Sequence, residues 1–130
     1  MNIQFLGGAR TVTGSQYLLS ANGARVLLEC GLFQGRRGET YRKNLNFEYN
    51  PADVDAVLLS HAHIDHAGNI PNLCKNGFSK RIFATSATVD LCQIMLRDSA
   101  YLHEKDAEWV NKLHAQRGEP PIEPLYTIDD

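Results

Sequence analysis

An α/β fold is the architecture this sequence predicts, and three observations carry it. Short strand patterns fill the first thirty residues, an aliphatic strand pattern recurs at 55–60, and helical spacing takes over after residue 85. The chain has 130 residues, one ordinary domain's length and too short for two. An apolar share of 43% and a charged share of 22% are globular values, which excludes a disordered or low-complexity chain. Thirteen Lys and Arg against fifteen Asp and Glu give a net charge of −2, so a basic nucleic-acid footprint is absent. A site that holds phosphate through metal ions does not need one.

Asn2 to Leu6 alternates polar and apolar residues and reads as a strand, as does Gln16 to Ser20. Ala21-Asn22-Gly23-Ala24 supplies a hairpin turn, because Asn-Gly accepts positive φ at both central positions, and Arg25 to Cys30 is the returning strand. The loop between the first two strands, residues 7–15, is rich in Gly and hydroxyls but lacks the Gly-Lys-Ser/Thr ending of a phosphate-binding loop. Residues 31–51 show no clear periodicity. Asp55 to Ser60 is a buried strand by its aliphatic content.

From His66 through Ile70 and Leu73 a short helix is expected, ending near Asn76-Gly77, with Pro71 separating its first turn. Arg81 to Ala84 is a further strand. Thr85-Ser86 offers capping oxygens for a long helix in which Val89, Cys92, Leu96 and Ser99 repeat at helical spacing, with Ile94, Met95 and Leu102 widening the apolar face. Glu104 to Arg117 is a second helix or an extension of it, stopped by Gly118-Glu119-Pro120-Pro121. Met95 and Trp109 are expected in the core.

Cys30, Cys74 and Cys92 are an odd number at wide spacing with no CxxC pair, which predicts reduced thiols in a cytoplasmic protein. No signal-peptide pattern opens the chain and its aliphatic runs are too short for a membrane span.

The informative segment is Ser60-His61-Ala62-His63-Ile64-Asp65-His66. On extended backbone, residues two apart point the same way, so His61 and His63 can reach one metal. Asp65 and His66 lie where the chain turns and can face a second ion. Imidazole and carboxylate are ligands that zinc accepts. The plain alternative is a polar loop whose histidines bond backbone carbonyls; four ligand-type side chains in H-x-H-x-D-H spacing after a buried strand favour the metal. If one helix continues through both, His103 and His114, eleven residues apart, lie on one face but about 16 Å apart and cannot share an ion; solvated or salt-bridged histidines are expected there.

This segment resembles the zinc-binding signature of the metallo-β-lactamase superfamily. Leu28-Glu29-Cys30-Gly31-Leu32-Phe33-Gln34-Gly35, Gly14-Ser15 and the tail from Gly118 to Thr127 resemble its β-CASP branch of RNA-processing nucleases. The resemblance implies an incomplete αββα sandwich, with residues 1–130 the N-terminal half (a mixed sheet with helices on its outer face), and the C-terminal half and the β-CASP domain absent. It implies a zinc-dependent hydrolase of RNA phosphodiesters in a complete parent, with two zinc ions. His61 and His63 would bind one ion and Asp65 and His66 the other, Asp65 also serving as general base. Glu29 takes the place of an aspartate that braces the metal loop, and Thr13 and Ser15 belong to a loop lining the cleft. The family's later histidines and bridging aspartate are not in this chain, so an inactive, self-associating fragment with RNA as the parent's partner is expected. Two rivals stand beside this: a superfamily hydrolase of thioesters, lactones or lactams, and a non-catalytic metal-binding or interaction module.

Overall fold

Asn22 and Gly23, with φ of +50° and +82°, reverse the chain between β2 (Gln16–Ala21) and β3 (Ala24–Leu28) in the two-residue hairpin the sequence predicts. The computed structural model that shows this describes residues 1–130, the side chain of Arg37 apart. β1 (Asn2–Gly7) pairs antiparallel with β2. β4 (Ala56–Leu58) and β5 (Arg81–Phe83) then add in parallel beyond β3, giving a mixed five-stranded sheet in the order β1-β2-β3-β4-β5.

The parallel pairs need crossovers, and helices supply them. Between β3 and β4 lie α1 (Arg37–Leu45) and a 3-10 turn at Pro51–Asp53, capped by the Asn50 side chain. Between β4 and β5 lie α2 (Ile64–Ala67) and α3 (Ile70–Lys75), with the break before Pro71 that the sequence suggested. α1 is a departure from expectation, in a stretch without apolar periodicity.

The register aligns Leu18, Leu27 and Val57 across one face of the sheet. All three are buried, packed with Tyr49, Val54, Leu59, Ala67, Ile70, Leu73 and Cys92, so the helices cover this face alone. On the opposite face Phe5, Tyr17, Leu28, Leu58 and Phe83 form a cross-strand row. Phe5 is 65% exposed there and Phe83 51%.

α4 (Ser86–Arg117) is one continuous helix, which settles the choice left open by the sequence. Thr85 caps its start by accepting from the Thr88 N–H, and Gly118 in the left-handed region closes its end. Thr88, Cys92, Ser99, Ala100 and Ala107 are its buried positions, and Met95 packs on the core as expected. Trp109 does not: it is 54% exposed, whereas Ala107 is buried and Val110 half-buried, so it lies on the outward side of the helix. Ile94 and Leu102 also face outward.

Candidate metal centre

The carboxyl ends of β3 and β4 lie side by side, Leu28 opposite Leu58, which is where open sheets with parallel strands place their ligands. Just beyond Leu28, Glu29 takes φ +60° and ends the strand short of the Cys30 expected from sequence. Residues 30–32 then run along the 64–66 segment: Cys30 N–H donates to His66 C=O at 2.7 Å and Leu32 N–H to Ile64 C=O at 3.0 Å. Ser15 N–H donates to Asp65 C=O at 2.9 Å and Ser15 C=O accepts from Gly31 N–H at 3.0 Å. Three separate segments are thereby tied to one another by main chain. The approach is so close that a Cβ on Gly31 would overlap the Asp65 carbonyl.

Residues 60–63 have no helical or strand pairing, and His63 is extended, with φ −60° and ψ +144°. His61 and His63 therefore point together, with His61 Nε2 3.1 Å from His63 Nδ1. α2 begins at Ile64 and carries Asp65 and His66 round, so that His66 Nε2 lies 3.7 Å from Asp65 Oδ2. The His61 and His66 rings are 4.1 Å apart between centroids, which sets the two pairs against each other. Two ligand atoms on one tetrahedral zinc at about 2.0–2.1 Å are about 3.3 Å apart, and both pairs sit near that spacing. The donor set, imidazoles with a carboxylate, is one that zinc accepts.

Glu29 is 9% exposed and sits behind the histidines. Its Oε1 accepts from Ser60 N–H at 3.0 Å, and its Oε2 faces His66 Nδ1 at 3.3 Å. Neither Oε2 nor that Nδ1 has a hydrogen-bond partner among the described residues. Ligand atoms of Glu29, His61 and His66 all lie within 4.8 Å of one another. Ser60 Oγ stands 2.8 Å from His61 Nδ1. Sequence reasoning missed Ser60; its adjacency to His61 was the only signal.

Thr13 pins its loop, its Oγ1 accepting from Gln34 N–H at 3.0 Å, while Ser15 is buried at the joint with Asp65. His114 Nε2 lies 3.3 Å from Glu119 Oε2, and its Nδ1 lies 2.7 Å from the Pro120 carbonyl. His103 is instead packed against the Tyr126 ring, and burial lowers its pKa below the usual 6.5. Burial raises the pKa of Cys30, Cys74 and Cys92 alike, so they are protonated thiols rather than nucleophiles. All three are free.

Residues 9–82, more than half of the chain, match the family model of the metallo-beta-lactamase superfamily. Over 99 residues the chain is 50% identical to Ribonuclease TTHA0252 of Thermus thermophilus, covering 76% of this chain and 22% of that protein. It is 32% identical over 110 residues to Transcription termination factor FttA of Methanocaldococcus jannaschii, covering 85% of this chain and 17% of that one. With the Cleavage and polyadenylation specificity factor subunit 3-I of Arabidopsis thaliana it shares 33% identity over 94 residues, 72% of this chain and 13% of the other. The chain thus spans about a fifth or less of these curated relatives. Among solved structures, a metallo-beta-lactamase of Cronobacter sakazakii with a HARLDQ motif superposes with a TM-score of 0.50 at 24% identity, over 68% of this chain and 30% of that one. Sheet, crossovers and histidine segment thus agree with the family match, and the chain belongs to the metallo-β-lactamase superfamily.

Proposed function

We propose that these residues form the metal-holding half of the catalytic domain of a zinc-dependent ribonuclease of the β-CASP type. The carrying observation is the pair of ligand-spaced contacts, His61 Nε2 to His63 Nδ1 and Asp65 Oδ2 to His66 Nε2, at the ends of parallel strands. Support comes also from relatives named as a ribonuclease, a transcription termination factor and a cleavage and polyadenylation subunit.

In this reading His61 and His63 hold one ion and Asp65 and His66 the other. A bound zinc pair supplies activation of water and neutralisation of the charge that builds on a phosphodiester. The chain's own residues do the rest. Asp65, its side chain 25% exposed, presents a carboxylate oxygen to the cleft and takes up a proton as general base. Glu29 sets the His66 ring. The loop carrying Thr13 and Ser15 is tied to Asp65 by the Ser15 N–H, and in this reading it borders the RNA path with Ser15 itself buried at the joint. The setting is cytoplasmic, and no helix is long and apolar enough to cross a membrane among the described residues.

Titration of zinc into the wild-type chain and into His61→Ala/His63→Ala tests the reading. Loss of most of the heat in the double variant is expected; equal binding by both removes the site from this segment. In the longer protein, RNA cleavage abolished by Asp65→Asn is expected, and cleavage of thioesters, lactones or lactams in place of RNA overturns the substrate. The 130 residues alone, with two protein ligands for each ion, are expected to show negligible cleavage.

A further inference from the structure

We propose that Ser60 is a positioning residue for the metal centre, fixing the His61 ring through its hydroxyl while being fixed itself by Glu29. This rests on the metal reading above and adds to it a group that holds a histidine without touching an ion.

A histidine that donates Nε2 to a cation must carry its proton on Nδ1, and it binds well only when that N–H has an acceptor. For His61 the group within reach of Nδ1 is Ser60 Oγ, at 2.8 Å. The other ring nitrogen, Nε2, points at His63 Nδ1, 3.1 Å away. That closeness has a cost. Without an ion, one proton lies between the two rings, on His61 Nε2 or on His63 Nδ1 according to the tautomer, and occupies both lone pairs that a cation would use. In the first tautomer, opening the pair means moving that proton to His61 Nδ1.

A serine hydroxyl serves in both states: it donates to Nδ1 when the proton is on Nε2, and accepts from Nδ1–H when it is not. Ser60 is exposed, so in the second state its own proton is given to water. The ring need not turn as the proton changes place. The hydroxyl in turn needs a fixed backbone. Ser60 N–H donates to Glu29 Oε1 at 3.0 Å, and the other oxygen of the same carboxylate faces His66 Nδ1 at 3.3 Å. One carboxylate therefore supports a histidine from each pair, His66 from its own oxygen and His61 by way of Ser60. This arrangement requires Glu29's turn out of the strand at φ +60°.

The test uses zinc titration and the side-chain N–H signals of ¹⁵N-histidine in the zinc-loaded chain. Ser60→Ala is expected to weaken zinc binding by about 10-fold, in the range usual for losing such a partner. Its His61 Nδ1–H signal is expected to broaden or move upfield as that proton exchanges with water. Ser60→Thr, which keeps the hydroxyl, is expected to retain both the affinity and the signal; Ser60→Cys, of similar size, is expected to behave like alanine. Should Ser60→Ala fail to fold, the cysteine variant carries the comparison. Wild-type affinity and an unchanged Nδ1–H signal in the alanine or cysteine variant overturn the proposal, as does a loss in Ser60→Thr equal to that in alanine. His61→Ala separates the two layers: if it binds zinc like wild type, the metal reading has failed. If it loses binding while Ser60→Ala does not, only the role of Ser60 has failed.

Discussion

Glu29 has the left-handed backbone, φ +60°, that costs an L-residue roughly 1–2 kcal/mol and that glycine adopts freely. A glutamate there is informative because the side chain is in use: one oxygen on Ser60 N–H, the other toward His66. Glu29→Gln separates the two tasks. It keeps an oxygen for Ser60 and the same length, but removes the charge facing the histidine. Zinc affinity is expected to fall by about 10-fold or more, with the unfolding midpoint of the metal-free chain nearly unchanged. Calorimetric titration beside thermal melts in chelator checks this, and unaltered affinity would show that the carboxylate is not needed at His66. The contiguous H-x-H-x-D-H segment was legible because its ligands are sequence neighbours. The link from Ser60 to Glu29 spans 31 residues, and no spacing rule reveals it.

At the scale of elements, the site depends on how closely the chain can pass itself. Gly31 lies against the Asp65 carbonyl, with no room for a side chain. Gly31→Ala must therefore push the 64–66 segment off residues 30–32 or break the Cys30 and Leu32 hydrogen bonds that join them. The expected result is a loss of about 2 kcal/mol or more of stability together with weakened zinc binding, measured by denaturant melts and titration. Wild-type values in both would mean the two segments are not in fact pressed together. α1 was illegible for a related reason. Its docking is polar rather than apolar: Asn44 pairs both ways with the Phe33 backbone, at 2.8 and 2.9 Å, and its carbonyl accepts from buried Asn69 and Asn72. Hydrophobic periodicity cannot report such a contact. α4 was legible in its ends, since Thr85 and Gly118 are strong caps, but its continuity depended on the absence of any breaker between them.

For the whole molecule, the sheet is the dominant surface feature. One face carries the helices; the other presents Ile3, Phe5, Leu58 and Phe83, each at least 42% exposed. An apolar face of that kind associates in water. The chain is expected to form dimers or larger species at micromolar concentration, and Phe5→Lys/Phe83→Lys to shift it toward the monomer. Light scattering checks both, and a wild-type particle of only 14.5 kDa across that range would count against it. The α/β class and the mixed sheet were legible from the strand and helix patterns, because each strand is short and marked by its turn. Trp109 was misjudged because its size and apolarity were read as core, while the covered side of α4 runs through Ala107 and Val110 beside it.

The strand order of the sheet repeats the order of the chain, and this has a consequence for how the site comes into being. β1, β2 and β3 meet through short connections, so their pairing costs little loop entropy and is expected to come early. β4 can join only after the long crossover containing α1 has closed. Glu29 belongs to the early meander, whereas residues 60–66 arrive with β4. All four proposed ligands, His61, His63, Asp65 and His66, arrive with that second piece, and what the first supplies is their support from Glu29. An ion bound at the finished site therefore stabilises the late segment directly, and its junction with the early part by way of Glu29.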